Sequence, residues 1–243
     1  PAAWLAAAVY ERTRTKLQSE PVEDFRIDFE DGYGFRHDEE EDRDAERTAS
    51  ELASAAADET ITAFSGIRIK AYAKETRERA RRTLNIFVTT LLESASGKLP
   101  ENFAVTLPKV TDKKEVGGLA RDLKKIEKQA GLDEGSIRIE IMIEHPLAII
   151  DRDGRLNIRS IVEAARGRCV AAHFGAYDYS AALGISASHQ DLAHPACDQA
   201  RQMMLIALSP LGVRLSDSVT VQLPVPVHKG QDLSKSQAKR SEE

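Results

Sequence analysis

Short apolar runs rich in β-branched residues alternate along the chain with longer segments of helical period. The alternation continues from one end of the sequence to the other, and it is typical of βαβ units around a parallel sheet. The six predicted strands are FRIDFED (25–31), GIRIKAY (66–72), FAVTLPKV (103–110), IRIEIMIEHP (137–146), RCVAAHFGAYD (168–178) and VRLSDSV (213–219).

The segments between these strands carry the apolar spacing and the end signals of helices. Residues 38–57 begin with a run of acids, which the positive end of a helix dipole favours. Residues 114–131 repeat apolar positions on one stripe and stop at a glycine, a common helix cap. Further helices are predicted over 2–19, which we expect to be amphipathic, over 74–93 and over 196–212.

Six strands with intervening helices amount to most of a (β/α)8 TIM-type barrel, and 243 residues suit a single core of this kind. The pattern leaves no segment for the first and last strands, so we expect both to be lacking in this chain. Residues 1–226 would form the barrel catalytic domain. Residues 227–243 are polar and are predicted to be a disordered tail.

Composition and charge narrow the class of protein. Hydrophobic residues make up 42% of the chain and charged residues 30%, which is ordinary for a soluble globular protein. No stretch has the length of a membrane span and no signal peptide is recognisable, so we predict a cytoplasmic protein without a membrane partner. The net charge is −5 and the basic residues are scattered among acids, which argues against nucleic acid as a partner.

Charged side chains gather where the predicted strands end. In a parallel barrel these carboxyl ends meet at one mouth, where active sites lie. The candidates are Asp28, Glu30 and Asp31 after the first strand, Arg68 and Lys70 on the second, Lys109 on the third, Glu144 and His145 on the fourth, and His173 and Asp178 on the fifth.

Two of these acids, Glu144 and Asp178, could share one divalent cation. Mg²⁺ is commonly held by one or two protein carboxylates, with water and substrate at the other positions, and Mn²⁺ accepts the same oxygen ligands. Such a metal can chelate a 2-oxo or 2-hydroxy acid and stabilise an enolate. Arg68 would bind the substrate carboxylate. These residue types therefore indicate the making or breaking of a C–C bond next to a carbonyl.

Five motifs in order carry a resemblance to a known family: IDFEDGYG, GIRIKAYA, VTLPKV, IMIEHPLAI and HFGAYDYSAALG. Across roughly residues 22–226 they resemble the HpcH/HpaI aldolase, citrate lyase beta-subunit and malyl-CoA lyase family. The resemblance implies a (β/α)8 barrel that cleaves or condenses oxo acids or hydroxyacyl-CoA thioesters with magnesium. It also implies a homo-oligomer, a trimer or a hexamer.

The resemblance assigns roles residue by residue. It makes Glu144 and Asp178 the metal ligands and Arg68 the substrate-binding arginine, with Asp28, Glu30 and Asp31 positioning water and substrate groups near the metal. We accordingly predict two sets of residues. The catalytic residues are Arg68, Glu30 and Asp31, and the substrate-binding residues are Arg68, Asp28, Lys70 and Lys109.

The sequence also departs from the family pattern. Asp31 stands where aldolases of the family carry a histidine base, and Lys70 stands where the CoA-dependent lyases have asparagine. His145 replaces the usual threonine after the metal-binding glutamate. These differences leave the acyl donor and the use of CoA open. The alternative function is a non-catalytic or truncated barrel that binds metal and an oxo acid. A phosphoenolpyruvate-type phosphoryl-transfer barrel is less favoured, because no phosphate-binding glycine loop is present.

Each candidate also has a purely structural interpretation. Asp178 could be a helix N-cap, Glu144 a surface acid and Arg68 the ion-pair partner of Asp28 or Glu30. For His145 and His173 the structural interpretation is the favoured one. Glu140 is expected in the barrel interior or in an ion pair with Lys109.

Overall fold

A computed structural model of the protein describes residues 2–219. The predicted polar tail, residues 227–243, lies outside the described residues. Among the helices described here, none is long and apolar enough to cross a membrane.

Six parallel strands form one sheet, and each strand pairs with the next strand in sequence. All six predicted strands are present. The observed strands are shorter at their carboxyl ends than the apolar runs suggested. They are β1 (Asp24–Asp28), β2 (Phe64–Arg68), β3 (Phe103–Leu107), β4 (Arg138–Ile143), β5 (Cys169–Phe174) and β6 (Arg214–Ser216).

Eight α-helices are described, and they include the five that the sequence predicts. The sequence does not predict the three short helices, Pro146–Ile149, Ile158–Ala164 and Ala176–Ala182, because they are too short to show a helical period. The last of them also begins inside an apolar run. The helices are α1 (Ala3–Ser19), α2 (Asp38–Ala57), α3 (Arg77–Ser94), α4 (Lys113–Ala130), α5 (Pro146–Ile149), α6 (Ile158–Ala164), α7 (Ala176–Ala182) and α8 (Pro195–Leu208).

Local signals fix the ends of α4. The side chain of Asp112 accepts a hydrogen bond from the backbone N–H of Lys114. The side chain of Glu115 accepts one from the backbone N–H of Asp112, which completes a capping box. Gly131 ends the helix with a φ of 72°, a left-handed conformation that glycine adopts without cost. The predicted glycine cap is therefore confirmed.

The first helix differs from the others. The predicted helix over 2–19 forms as α1, but none of its residues is buried, and Trp4 and Tyr10 are among its exposed aromatic side chains. Its first turns are apolar on every side rather than on one stripe. The helix is therefore present as predicted, but the expectation that it is amphipathic is wrong.

The sheet curls into a half-barrel, consistent with part of a TIM-type barrel. Interior side chains meet across it: the Arg26 guanidinium of β1 reaches Glu140 of β4 at 2.8 Å, and Arg214 of β6 lies 4.5 Å from the centre of the Phe64 ring of β2. In the described part of the chain β1 and β6 each pair on one side only, which agrees with a barrel short of two strands.

A buried ion pair joins α4 to the sheet. Glu127 and Arg168 are 1% and 3% exposed, and the two guanidinium nitrogens of Arg168 lie 2.5 and 2.7 Å from the carboxylate oxygens. The same carboxylate accepts hydrogen bonds from the backbone N–H groups of Gly135 and Ile137. This contact fixes the turn between α4 and β4.

We expect Arg168→Ala to lower the free energy of unfolding by about 3–5 kcal/mol, because it leaves the Glu127 charge buried without its partner. Denaturant unfolding measures the change. Arg159→Ala is the control, since it removes an exposed ion pair with Glu163 and should cost about 1 kcal/mol or less. Equal losses in the two variants would contradict a stabilising role for the buried pair.

Candidate active site

A cleft of about 690 Å³ opens at the carboxyl ends of the strands. This is the end of a parallel barrel at which active sites lie. Six of the candidate residues line it: Asp28, Asp31, Arg68, Glu144, His173 and Asp178. Residues outside the predicted set also form the wall, among them Arg26, Thr106, Met142, Gly175, Ser216 and Ser218.

Glu144 follows β4 directly and is 6% exposed. The backbone N–H of Lys109 donates to its Oε2 at 2.9 Å. Its Oε1 accepts no hydrogen bond from the residues that the structure describes. Gly175 lies against the side chain so closely that a Cβ there would be 2.4 Å from Glu144 Cγ. The carboxylate is therefore held in place with one oxygen left unpaired.

Asp178 lies in the first turn of α7 and is exposed. The N-cap of this helix is Gly175, and no side chain makes a cap hydrogen bond, so the N-cap interpretation of Asp178 is wrong. Within residues 2–219 its carboxylate makes neither a hydrogen bond nor an ion pair. Asp178 thus shares the cleft with Glu144 and has no hydrogen-bond or ion-pair partner in the described part of the chain.

The environment of Glu144 favours its neutral form. Burial raises the pKa of Glu144 to about 7, and the nearby charges of Asp178 and Glu30 act in the same direction. The hydrogen bond from Lys109 opposes this rise. A positive charge bound in the cleft would therefore stabilise the ionised form of Glu144.

This shift makes stability depend on pH. A carboxyl group whose pKa rises from 4.5 to about 7 on folding binds its proton more tightly in the folded state. Its contribution is present at low pH and is lost as the pH rises through 7. We expect the stability of wild type relative to Glu144→Gln to fall by at most about 3 kcal/mol between pH 4.5 and 7. Urea unfolding at several pH values measures it, and parallel curves for the two proteins would contradict the shift.

Arg68 ends β2 and forms a fork with Asp28, which ends β1. Its Nε donates to Asp28 Oδ1 at 2.7 Å and its Nη2 donates to Oδ2. The N–H groups of Glu30 and Gly32 donate to the same carboxylate, so Asp28 orders the loop after β1. The predicted ion pair of Arg68 is therefore present. Nη1 has longer contacts: it donates to Met142 Sδ at 3.7 Å and lies 3.7 Å from the Glu30 carboxylate.

Lys109 contacts acids on both sides at the carboxyl ends of the strands, which we call the rim of the cleft. Its Nζ lies 2.6 Å from Glu30 and 2.7 Å from Asp31, while its N–H holds Glu144. Its φ of 51° is left-handed, a strained conformation for a lysine that the surrounding contacts maintain. The Lys109 ammonium is occupied by these acids and does not line the cleft. Its predicted substrate contact stays a prediction.

Lys70 points away from the cleft. Its Nζ lies 2.7 Å from the buried Glu41 of α2 and donates to the backbone oxygen of Phe29 at 2.8 Å. The structure therefore does not bring Lys70 together with the other predicted substrate-binding residues. The cause is that β2 ends at Arg68, so the strand alternation that would point Lys70 inward has already stopped.

Below the rim, Glu140 lies in the interior of the curled sheet and is 1% exposed. It contacts Arg26, His173 and Thr106, not Lys109, so the interior position is confirmed and the ion pair with Lys109 is wrong. His145 accepts a hydrogen bond from the Leu147 N–H and caps α5, which confirms its structural interpretation.

Strand periodicity could have found most of the wall residues that were missed. Arg26 precedes Asp28 by two positions, and Met142 precedes Glu144 by two, so each pair shares one face. Gly175 had no such signal, because a glycine after a strand is ordinarily a turn.

Family membership follows from a match along nearly the whole chain. A family model described as "Domain of unknown function (DUF6986)" matches residues 2–242. The chain belongs to this family. No curated protein sequence matches the chain.

Solved structures with the same fold include two kinds of enzyme. A citrate lyase from Burkholderia xenovorans LB400 matches with a TM-score of 0.64 and 20% identity, over 88% of this chain and 61% of that one. A malate synthase from Haloferax volcanii matches with a TM-score of 0.64 and 16% identity, over 82% of this chain and 55% of that one. The DUF6986 chain thus shares a fold with barrel enzymes and spans less than two thirds of their length.

Proposed function

We propose that this protein is a magnesium-dependent carbon–carbon lyase or aldolase. It would cleave or condense a 2-oxo or 2-hydroxy acid, or a hydroxyacyl-CoA thioester, through an enolate. One observation carries the proposal: Glu144, whose Oε1 accepts no hydrogen bond from the described residues, and Asp178, which has no hydrogen-bond or ion-pair partner among them, share a cleft with the Arg68 fork.

The donor set fits Mg²⁺. Among the described residues no group of three or more histidine, cysteine, aspartate or glutamate side chains could hold a metal, which argues against a closed structural site. Mg²⁺ needs only one or two carboxylates and keeps open positions for water and substrate. Glu144 Oε1 and the Asp178 carboxylate would hold it, and Mn²⁺ would fit the same oxygens. When bound, the ion supplies a Lewis acid that lowers the energy of an enolate.

The chain's own residues would orient the substrate. Arg68 Nη1 would exchange its long contact with Met142 Sδ for a substrate carboxylate, and Asp28 fixes the guanidinium plane from the opposite side. Lys109 holds Glu30 and Asp31 at the rim. Asp31 lines the cleft and Glu30 lies behind it, so in this arrangement they would act as water-positioning and charge-balancing groups, as the family resemblance implies.

Ligands named for the structural neighbours fit this substrate class. The Haloferax volcanii malate synthase is described in a magnesium/glyoxylate complex and in a pyruvate/acetyl-CoA complex. Both glyoxylate and pyruvate are 2-oxo acids. For this chain the shared fold makes them suitable first probes, and the homo-oligomeric assembly and the use of a CoA thioester stay predictions.

The decisive experiment combines binding and product analysis on the full chain. Calorimetric titration measures Mg²⁺ binding and then glyoxylate or pyruvate binding to the loaded protein. Mass spectrometry then follows condensation of each 2-oxo acid with acetyl-CoA and cleavage of oxaloacetate, with EDTA and with Glu144→Gln as controls.

Metal-dependent product formation that Glu144→Gln abolishes would support the lyase. Binding of Mg²⁺ and oxo acid without any product would favour the non-catalytic barrel. Failure of the wild-type protein to bind Mg²⁺ would reject the proposal.

A further inference from the structure

His173 lies at the floor of the cleft, below the rim acids. It belongs to β5 and lines the cleft. Gly175, two residues later, touches the Glu144 side chain. The N–H of Gly175 still pairs with the backbone oxygen of Ile143, so the strand geometry continues to this residue. Strand residues rise about 3.3 Å each and alternate residues face the same side, so His173 lies about 6.6 Å below Gly175, in the layer beneath Glu144.

His173 also lies near Arg68, with Met142 between them. His173 pairs in register with Met142 of β4. The sulfur of Met142 accepts a long hydrogen bond from Arg68 Nη1 at 3.7 Å. The imidazole is therefore one side chain away from the position where a bound substrate carboxylate would lie.

The ring of His173 is fixed by Glu140. His173 Nε2 lies 3.1 Å from Glu140 Oε2, and Nδ1 makes no hydrogen bond within the described part of the chain. A buried carboxylate that accepts from one ring nitrogen sets the tautomer and leaves the other nitrogen free to exchange protons.

Polar groups from β1, β3 and β6 surround the pair formed by Glu140 and His173. Arg26 of β1 binds Glu140 and also Asp24, Thr106 of β3 donates to Glu140, and Arg214 of β6 lies 3.8 Å from it. Burial would raise the pKa of Glu140, but the His173 hydrogen bond and the Arg26 charge outweigh it and lower the pKa to about 2. The carboxylate thus stays ionised beside the imidazole.

We propose that His173 is an acid–base residue of this cleft, which moves the proton at the carbon next to the substrate carbonyl, and that Glu140 is its positioning residue. The inference rests on the proposed function and extends it. In the condensing direction Nδ1 takes the proton, the C–H electron pair becomes the enolate double bond, and the carbonyl oxygen gains the charge. In the cleaving direction the imidazolium returns that proton to carbon.

Deuterium exchange tests this step without requiring the true second substrate. Pyruvate and Mg²⁺ are incubated with the full chain in D2O, and proton NMR follows loss of the methyl signal. We expect wild type to exchange these protons, and His173→Asn to exchange them about 100-fold or more slowly with pyruvate affinity changed less than about threefold. His189→Asn, an exposed histidine outside the cleft, is the control.

Glu140→Gln gives an independent readout. Loss of the carboxylate removes the group that holds Nε2 of His173, so the pH profile of exchange should move as well as drop in height. A merely structural Glu140 would lower the rate without moving this profile. This measurement decides the question if His173→Asn does not fold.

Different outcomes would contradict the role of His173 and the proposed lyase function. Exchange at the wild-type rate in folded His173→Asn would overturn the role of His173, as would an unmoved profile in Glu140→Gln. A wild-type protein that binds Mg²⁺ and pyruvate without exchange would overturn the proton transfer alone. A wild-type protein that binds neither would overturn the proposed function itself.

Discussion

Asp178→Asn should lower the affinity for Mg²⁺ by about 100-fold or more and abolish metal-dependent turnover. The substitution removes one of two anionic ligands, and an amide is a much weaker ligand for this hard cation. The fold should be unchanged, because Asp178 is exposed and has no hydrogen-bond or ion-pair partner among the described residues. Calorimetric titration with Mg²⁺ and a thermal unfolding curve measure the two effects.

Asp198→Asn is a control for the Mg²⁺ affinity alone, because Asp198, unlike Asp178, pairs with Arg201 at 2.8 Å. Asp198 is also an exposed acid in the first turn of a helix, α8, so it carries the same favourable interaction with the helix dipole. It does not line the cleft. If Asp178→Asn and Asp198→Asn bind Mg²⁺ equally well, Asp178 is not a ligand.

Gly175→Ala should damage the same site through Glu144. The backbone of Gly175 has a φ of −107°, which alanine can adopt, so the effect is steric. The new Cβ would lie 2.4 Å from Glu144 Cγ and 2.8 Å from its Oε1. We expect a loss of about 1–3 kcal/mol in the free energy of unfolding, from overpacking, and a 10–100-fold loss of Mg²⁺ affinity as the carboxylate is displaced.

A double-mutant cycle makes this prediction specific. Glu144→Asp shortens the side chain, so the alanine at position 175 should cost much less stability in that background. Gly117→Ala is the control, since its Cβ would meet no atom closer than 3.6 Å. Additive stability losses for positions 175 and 144 would show that the two side chains do not compete for the same space.

Regular periodicity predicted the long helices and the existence of every described strand. The interval 38–57 was predicted to the residue, because its acidic start and apolar spacing agree with each other. Strand ends were placed too late: the apolar run of β4 continues without interruption into Glu144, although pairing stops at Ile143. Hydrophobicity reports burial, and residues at a barrel mouth can be buried without being in a strand.

The partners of charged side chains were harder to predict than their positions. Lys109 binds Glu30 and Asp31 because the chain turns through a left-handed residue at that point. Glu140 instead meets Arg26 and His173, which the curl of the sheet brings together. Both outcomes depend on three-dimensional closure, which no local pattern encodes.

The contact between Arg26 and Glu140 spans 114 positions of sequence, whereas neighbouring strands pair over far shorter intervals. Loop-closure entropy penalises such distant contacts, so they tend to form late in folding. The floor of the cleft should therefore assemble only after successive βα units have docked. Substitutions at Arg26 would then change the unfolding rate rather than the folding rate. A partly folded chain would have helices and strands but no formed cleft.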